Sequence, residues 1–259
     1  MTLHDPTTFT GWLSPHSVEW YQQLSELQRI YTYTWNATFP MPNGESVFDK
    51  EVRKMIEGRK VLDVGCGHGE FTFHCSSIAK EIVGFDVTDN FLKIAKVHKK
   101  ANLSFVAGNT KLGLPFEKDE FDSSYIRKGP TSAYPSLREI VKKGGTILGL
   151  HPGDESGKEM SRIFPNLFKE SSGTPTLNKI NKQLEMSSFT STELEHVACT
   201  EYLHSPIDVL KLRCFGQKTS VYERLKEENL SEITKLFDEN STKKGLAITN
   251  SFYIVRLIV

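Results

Sequence analysis

Val61-Leu-Asp-Val-Gly-Cys-Gly-His-Gly-Glu70 is the stretch whose reading decides the fold. An apolar run, an acid and three glycines at alternate positions follow one another, the pattern of a buried strand that runs into a tight turn and then a helix. The glycines let backbone approach a ligand closely. Asp63 sets the kind of ligand, because a carboxylate two residues before the first glycine repels a pyrophosphate but pairs with an ammonium group. An aminoacyl nucleoside is therefore favoured over a dinucleotide. The dinucleotide fingerprint G-x-G-x-x-G would place its third glycine at position 70, which is Glu70, so that reading fails on spacing and on charge.

With Asp63, Gly65, Gly67 and Gly69 in this register, the stretch resembles the first motif of the class I S-adenosylmethionine-dependent methyltransferases, acid-x-Gly-x-Gly-x-Gly at the end of the first strand. Two further segments extend the resemblance. Glu81-Ile-Val-Gly-Phe-Asp86 is a short apolar strand ending in an acid, and 86 minus 63 places that acid 23 residues on, a separation that one strand-helix-strand unit fills. A carboxylate there can accept both hydrogen bonds of a ribose diol. Asn102-Leu-Ser-Phe-Val-Ala-Gly-Asn-Thr110, followed by Leu114-Pro-Phe116 and Phe121-Asp122, resembles the third and fourth motifs. Asn109 stands where the family usually has an Asp that accepts from the adenine amino group, and an Asn carbonyl oxygen can accept as well.

The resemblance implies S-adenosylmethionine as cofactor, S-adenosylhomocysteine as product, and a doubly wound, mostly parallel, seven-stranded Rossmann-like α/β sheet. It implies cofactor contacts at Asp63, Gly65, Cys66, Gly67, His68, Gly69, Asp86, Val87, Asn109, Thr110 and Arg127. Cys66 reads as packing and not as a nucleophile.

Composition agrees with an enzyme of this class. The 259 residues suit one large α/β domain or two small ones, and 32 Lys plus Arg balance 32 Asp plus Glu. No global field would draw such a chain to nucleic acid or an anionic membrane, so a small-molecule partner is expected. No apolar run approaches the ~18 residues of a membrane helix, and Met1-Thr-Leu-His-Asp-Pro6 lacks the regions of a secretory signal, which makes the cytoplasm the expected location. Cys66, Cys75, Cys199 and Cys214 are too scattered for a zinc ribbon or a disulfide scaffold, and the eight histidines form no metal motif. No metal is expected.

Around the motifs, the spacing predicts helices over 17–33, behind a Ser17 cap, and over 46–57. In the family such N-terminal helices often fold over the cofactor, which would bring Tyr33 and Trp35 to the methionine moiety or the substrate, with cation–π attraction for the sulfonium. Plain packing explains these aromatics equally well. Crossover helices are predicted over 70–79, 90–100 and 134–143, with Thr146-Ile-Leu-Gly-Leu150 as the next buried strand. Ligands then sit at the strand carboxyl ends.

At that edge Tyr125-Ile-Arg-Lys-Gly-Pro-Thr-Ser132 is expected to meet substrate. Arg127 and Lys128 can orient an anionic acceptor or the cofactor carboxylate, or stand simply as exposed loop cations. His151 is the best placed titratable group, suited by an ordinary pKa of about 6.5 to act as a general base, and a strand-end histidine satisfied by backbone explains it equally well. Thr190-Ser-Thr-Glu193 matches a capping pattern, predicting a short helix and then a strand near 199–204. A charged helix is predicted over 220–237 and a final strand over 246–259.

The expected layout is one methyltransferase domain: an N-terminal helical lid over 1–58, a cofactor-binding core over 59–153, and substrate-cap segments with a C-terminal helical insert over 154–259. The expected activity is methyl transfer from S-adenosylmethionine to a small molecule by in-line displacement. The alternatives are methylation of an RNA base, or binding of S-adenosylmethionine or S-adenosylhomocysteine without turnover.

Overall fold

The computed structural model describes residues 2–170 and 172–259. The elements in chain order are α1 (Val18–Gln28), β1 (Ala37–Thr38), α2 (Gly44–Met55), β2 (Lys60–Val64), α3 (Glu70–Cys75), β3 (Glu81–Asp86), α4 (Asp89–Ala95), β4 (Leu103–Ala107), β5 (Phe121–Arg127), α5 (Tyr134–Ile140) and β6 (Val141–Pro152). Then follow α6 (Met160–Ile163), α7 (Pro175–Glu185), β7 (Ser191–Leu203), α8 (Pro206–Arg213), α9 (Thr219–Asn240) and β8 (Leu246–Ile258). Strand order is β1-β7-β8-β6-β5-β2-β3-β4. β2 to β6 pair in parallel, β8 runs antiparallel to β6, and β1 runs antiparallel to β7.

This is the expected mostly parallel α/β sheet with one strand more than the seven predicted. β1 is the addition, two residues paired with Tyr202 and Leu203. A strand that short carries no periodicity to read. The helix predicted behind Thr190-Ser-Thr-Glu193 is absent, because 191–203 is a single strand. Glu193 and Glu195, two residues apart on one face, both bond the Arg256 guanidinium, at 2.9 and 2.8 Å, and Glu51 takes it at 2.7 Å. A period of two satisfies these charges where a helical period would separate them. The third crossover helix is also shorter than predicted, since Val141 already belongs to β6.

The chain gathers into two compact units. The first comprises Met1–Met41, Glu155–Gly173 and Ala198–Asn250. Its core sets Phe164, Leu203 and Leu210 with Val221, Leu225, Ile233 and Phe237, which line one face of α9 at spacings of four or eight. The second comprises Pro42–Asp154, Thr174–Val197 and Ser251–Val259. It holds β2 to β6 with an apolar cluster on either side of the sheet. Leu62, Phe85, Tyr134 and Val255 lie in one cluster, and Phe48, Val61, Tyr125 and Ile254 in the other. Alternate residues of β2 thus face opposite layers, as a doubly wound sheet requires. No helix is long and apolar enough to cross a membrane among the described residues.

Candidate functional site

Parallel strands put their carboxyl ends on one edge. β2 delivers Asp63 there, β3 Asp86, β5 Arg127 and β6 His151, all within the second unit. The loop after β2 is tied to β3, since the backbone N–H groups of Gly65 and Cys66 both donate to the Phe85 carbonyl, at 2.8 and 3.1 Å. Gly67 N–H then donates to Asp86 Oδ2 at 2.9 Å and Thr88 N–H to Oδ1 at 2.8 Å. Gly67 and Asp86, 19 residues apart in sequence, are thus direct partners.

The three loop glycines all have positive φ, at 82°, 55° and 78°, but their surroundings differ. A Cβ on Gly65 would sit 3.0 Å from the Gly129 Cα, and one on Gly69 would sit 2.7 Å from the Ala95 Cβ. At Gly67 it would meet nothing within 4 Å. Gly65 and Gly69 are glycines for the protein's own packing. Gly67 turns its bare backbone toward open space, the cradle that a ligand needs.

Asp63 is buried, and its Oδ2 accepts from Thr72 Oγ1 at 2.7 Å and from the Tyr125 hydroxyl at 2.9 Å. Burial raises its pKa to about 7 against the opposing pull of those two bonds and of the Arg127 charge. Burial also raises Asp86, against the Thr88 and Gly67 N–H groups. Neither carboxylate forms an ion pair among the described residues. Two such acids beside a bare backbone turn fit a ligand that carries both hydroxyls and positive charge, as S-adenosylmethionine does.

Around them, Asn109 Oδ1 accepts from Lys111 N–H at 3.0 Å, and the Thr110 and Ser132 hydroxyls meet at 2.7 Å. Val87 is exposed, and His68 lies 3.2 Å from Glu70. Burial raises the Cys66 thiol well above the ordinary range, so it is protonated and not a nucleophile.

The strand-end cations do not stand free. Arg127 binds Asp49 through Nε at 2.8 Å and Nη2 at 3.1 Å, binds Glu45 at 2.8 Å, and lies over the Phe71 ring at 4.9 Å. Lys128, at φ 59°, reaches Glu45 at 3.0 Å. Both charges expected to meet an anionic acceptor are neutralised by the acids of α2. Glu45, Asp49 and Thr72 escaped the sequence reading, and Tyr125 entered it only as the first residue of the segment expected to meet substrate. Only the i, i+4 spacing of Glu45 and Asp49 on one helix face hinted at a shared partner.

The expected base is enclosed as well. His151 is 1% exposed, its Nε2 lies 2.7 Å from the Tyr134 hydroxyl, and burial lowers its pKa to about 4 despite a backbone hydrogen bond with Gly129. A neutral ring whose nitrogen is engaged inside the core is poorly placed to take a proton from an acceptor. Tyr33 and Trp35 belong to the first unit, where their ring centroids are 4.5 Å apart and Trp35 Nε1 donates to Glu201 at 3.1 Å. Among the described residues no cluster of ligands suits a metal ion.

Comparison with known proteins bears on this edge. The methyltransferase-domain family matches residues 56–196. Demethylmenaquinone methyltransferase of Lactococcus lactis subsp. lactis is 32% identical over 135 residues, which are 46% of this chain and 53% of that protein. A tRNA U34 carboxymethyltransferase of Campylobacter hominis is 25% identical over 167 residues, 56% of this chain and 55% of that protein. The chain spans about half the length of these curated relatives. Among solved structures, a functionally unknown protein from Deinococcus radiodurans R1 superposes with a TM-score of 0.63 at 17% identity, covering 93% of this chain and 97% of that one. A putative methyltransferase from Bacillus halodurans C-125 gives 0.53 at 16% identity, covering 83% and 98%. The strand order, the glycine turn and the family match together place this chain in the methyltransferase-domain family, with the class I fold of the S-adenosylmethionine-dependent enzymes.

Proposed function

We propose that the chain binds S-adenosylmethionine at the carboxyl edge of β2, β3 and β4 and methylates a small-molecule acceptor. The observation that carries this reading is the pair of carboxylates Asp63 and Asp86, without ion pairs among the described residues, flanking the open backbone of Gly67. When bound, the cofactor supplies an electrophilic methyl group on a sulfonium, for a displacement that needs positioning more than covalent help.

In this reading Asp86 serves two tasks. Its oxygens accept from Gly67 and Thr88 and orient the carboxylate, and its remaining acceptor capacity takes the ribose hydroxyls. Asp63 takes the ammonium end, held in place by Thr72 and Tyr125. Asn109 and Thr110 face the adenine, while Gly65, Cys66, His68, Gly69 and Val87 contribute walls and backbone. Arg127 and Lys128 fix the loop after β5 to α2 and do not bind substrate. His151 supports Tyr134, so an acceptor with a proton to lose gives it to solvent.

The relative named for tRNA makes RNA the competing acceptor, and the balance of 32 cations against 32 acids counts against it. Calorimetry should show S-adenosylmethionine binding, and methyl-labelled cofactor should transfer label to the small-molecule fraction of a cell extract. Label in the RNA fraction would replace the acceptor class. Binding without transfer to either would make the chain a sensor, and absence of binding would refute the reading.

A further inference from the structure

Both hydrogen bonds that Asp63 receives fall on one oxygen. Thr72 Oγ1 donates to Oδ2 at 2.7 Å from α3 and the Tyr125 hydroxyl at 2.9 Å from β5, so the two acceptor positions of Oδ2 are taken. Burial keeps the Tyr125 phenol protonated, a permanent donor. Oδ1 accepts no hydrogen bond among the described residues. It is not sealed in either, because the buried side-chain atoms that lack a partner among those residues are Gln28 Oε1 and Ser123 Oγ. An acid only 2% exposed thus keeps one usable oxygen, and that oxygen reaches solvent.

The other titratable groups around Asp63 leave this oxygen alone. β3 brings Asp86, and β5 brings Arg127, which is held by Asp49 and Glu45 of α2. α3 and the glycine turn bring the thiols of Cys75 and Cys66, both pushed up by burial and neutral at pH 7. A proton taken up by Asp63 must therefore sit on Oδ1, the oxygen that an ammonium group would need. Burial raises this carboxyl to about 7, which brings that proton into the neutral range.

We infer that a proton and the ammonium end of the cofactor compete for Asp63 Oδ1, so that cofactor binding expels a proton. Tyr125 and Thr72 are then positioning residues, which confine both competitors to one oxygen and set the pH at which they exchange. The inference rests on the reading of Asp63 as the ammonium's partner. No covalent change is involved: Oδ1 gives its proton to solvent, and the carboxylate left behind accepts from the ammonium N–H.

Calorimetry on the full chain with S-adenosylhomocysteine and 5′-methylthioadenosine separates this competition from nucleoside binding. The second probe keeps the adenosine and lacks the amino-acid end, so it reports on Asp86 but not on Asp63. Between pH 7 and 5.5 the first probe's amino group, titrating at about 8, and its carboxyl, at about 3.5, add little slope of their own. We expect its affinity to fall roughly tenfold more than that of 5′-methylthioadenosine across that interval, with proton release seen in buffers of different ionisation enthalpy. Asp63→Asn should remove the difference. Tyr125→Phe and Thr72→Val should move the fall to higher pH, because a carboxylate with one donor fewer holds its proton more tightly, whereas Thr72→Ser should leave it in place. Equal pH dependence for two probes that both bind would overturn the competition and leave the cofactor site standing. A fall unmoved in Tyr125→Phe and Thr72→Val would overturn the positioning role. Failure of both probes to bind would refute the site and this inference with it.

Discussion

The Tyr125 hydroxyl donates to Asp63 Oδ2 at 2.9 Å from the neighbouring strand, where Tyr125 and Asp63 are register partners. The sheet's own pairing thereby fixes the acid that opens the glycine turn. With the Thr72 bond to the same oxygen, this is what lets a buried carboxylate ionise near neutrality.

Asp63 should make the protein less stable as pH rises. Its folded pKa of about 7 exceeds the ordinary value of 3.8, so between those values the folded state binds more protons than the unfolded. The stabilisation from this group is fully present below the lower value and is lost as pH rises through the upper one. Urea unfolding at pH 4.5 and 8 should show wild type losing of order 2–4 kcal/mol relative to Asp63→Asn. An equal difference at the two pH values would contradict the burial assigned to Asp63.

His151 should act with the opposite sign. Its pKa falls from 6.5 to about 4 on folding, so its stabilisation is present above the upper value and is lost as pH falls through the lower one. His151→Asn should flatten wild-type acid sensitivity between pH 6.5 and 4. Turnover of that variant, normalised to folded protein, should stay within about tenfold of wild type, against the ~10²–10⁴ expected for loss of a general base. A loss of that size would restore His151 to the chemistry.

Replacing Asp86 removes the proposed ribose contact together with the acceptor of the Gly67 and Thr88 N–H groups. Asp86→Ala should weaken S-adenosylmethionine binding by about 1.5–3 kcal/mol, and amide exchange at Gly67 and Thr88 should speed up as their acceptor disappears. Unchanged affinity by calorimetry would remove Asp86 from the cofactor site.

The glycines should separate by phenotype. Gly67→Val should fold, losing only about 1 kcal/mol to its positive φ, and should not bind cofactor. Gly69→Val should fail earlier, since its side chain collides with Ala95 and Phe105. Thermal melts and calorimetry on the pair check this, and cofactor binding by folded Gly67→Val would remove the turn from the site.

Val61 to Asp86 was legible because its signals are local: a strand ends, three glycines turn, a helix begins, and the next acid lies one crossover away. The partners of Arg127 are not legible, because Asp49 and Glu45 lie 78 and 82 residues upstream and no local rule pairs a strand-end cation with a particular helix. His151 was read from its position along the strand, whereas its chemistry is set by burial and by Tyr134, 17 residues back. The capping pattern at 190–193 failed for a related reason, since the charge of Arg256 across the sheet decides that segment.

Five peptide bonds, 41–42, 154–155, 173–174, 197–198 and 250–251, carry the chain from one compact unit to the other. No single cleavage can release either unit as a continuous fragment, and any truncation past residue 42 from the amino end, or before 250 from the carboxyl end, removes chain from both. Protease nicking at the exposed 172–174 stretch should therefore leave two fragments that co-migrate until denatured. Neither unit can be obtained by expressing one segment of the gene, so ligand assays on this protein must use the intact polypeptide.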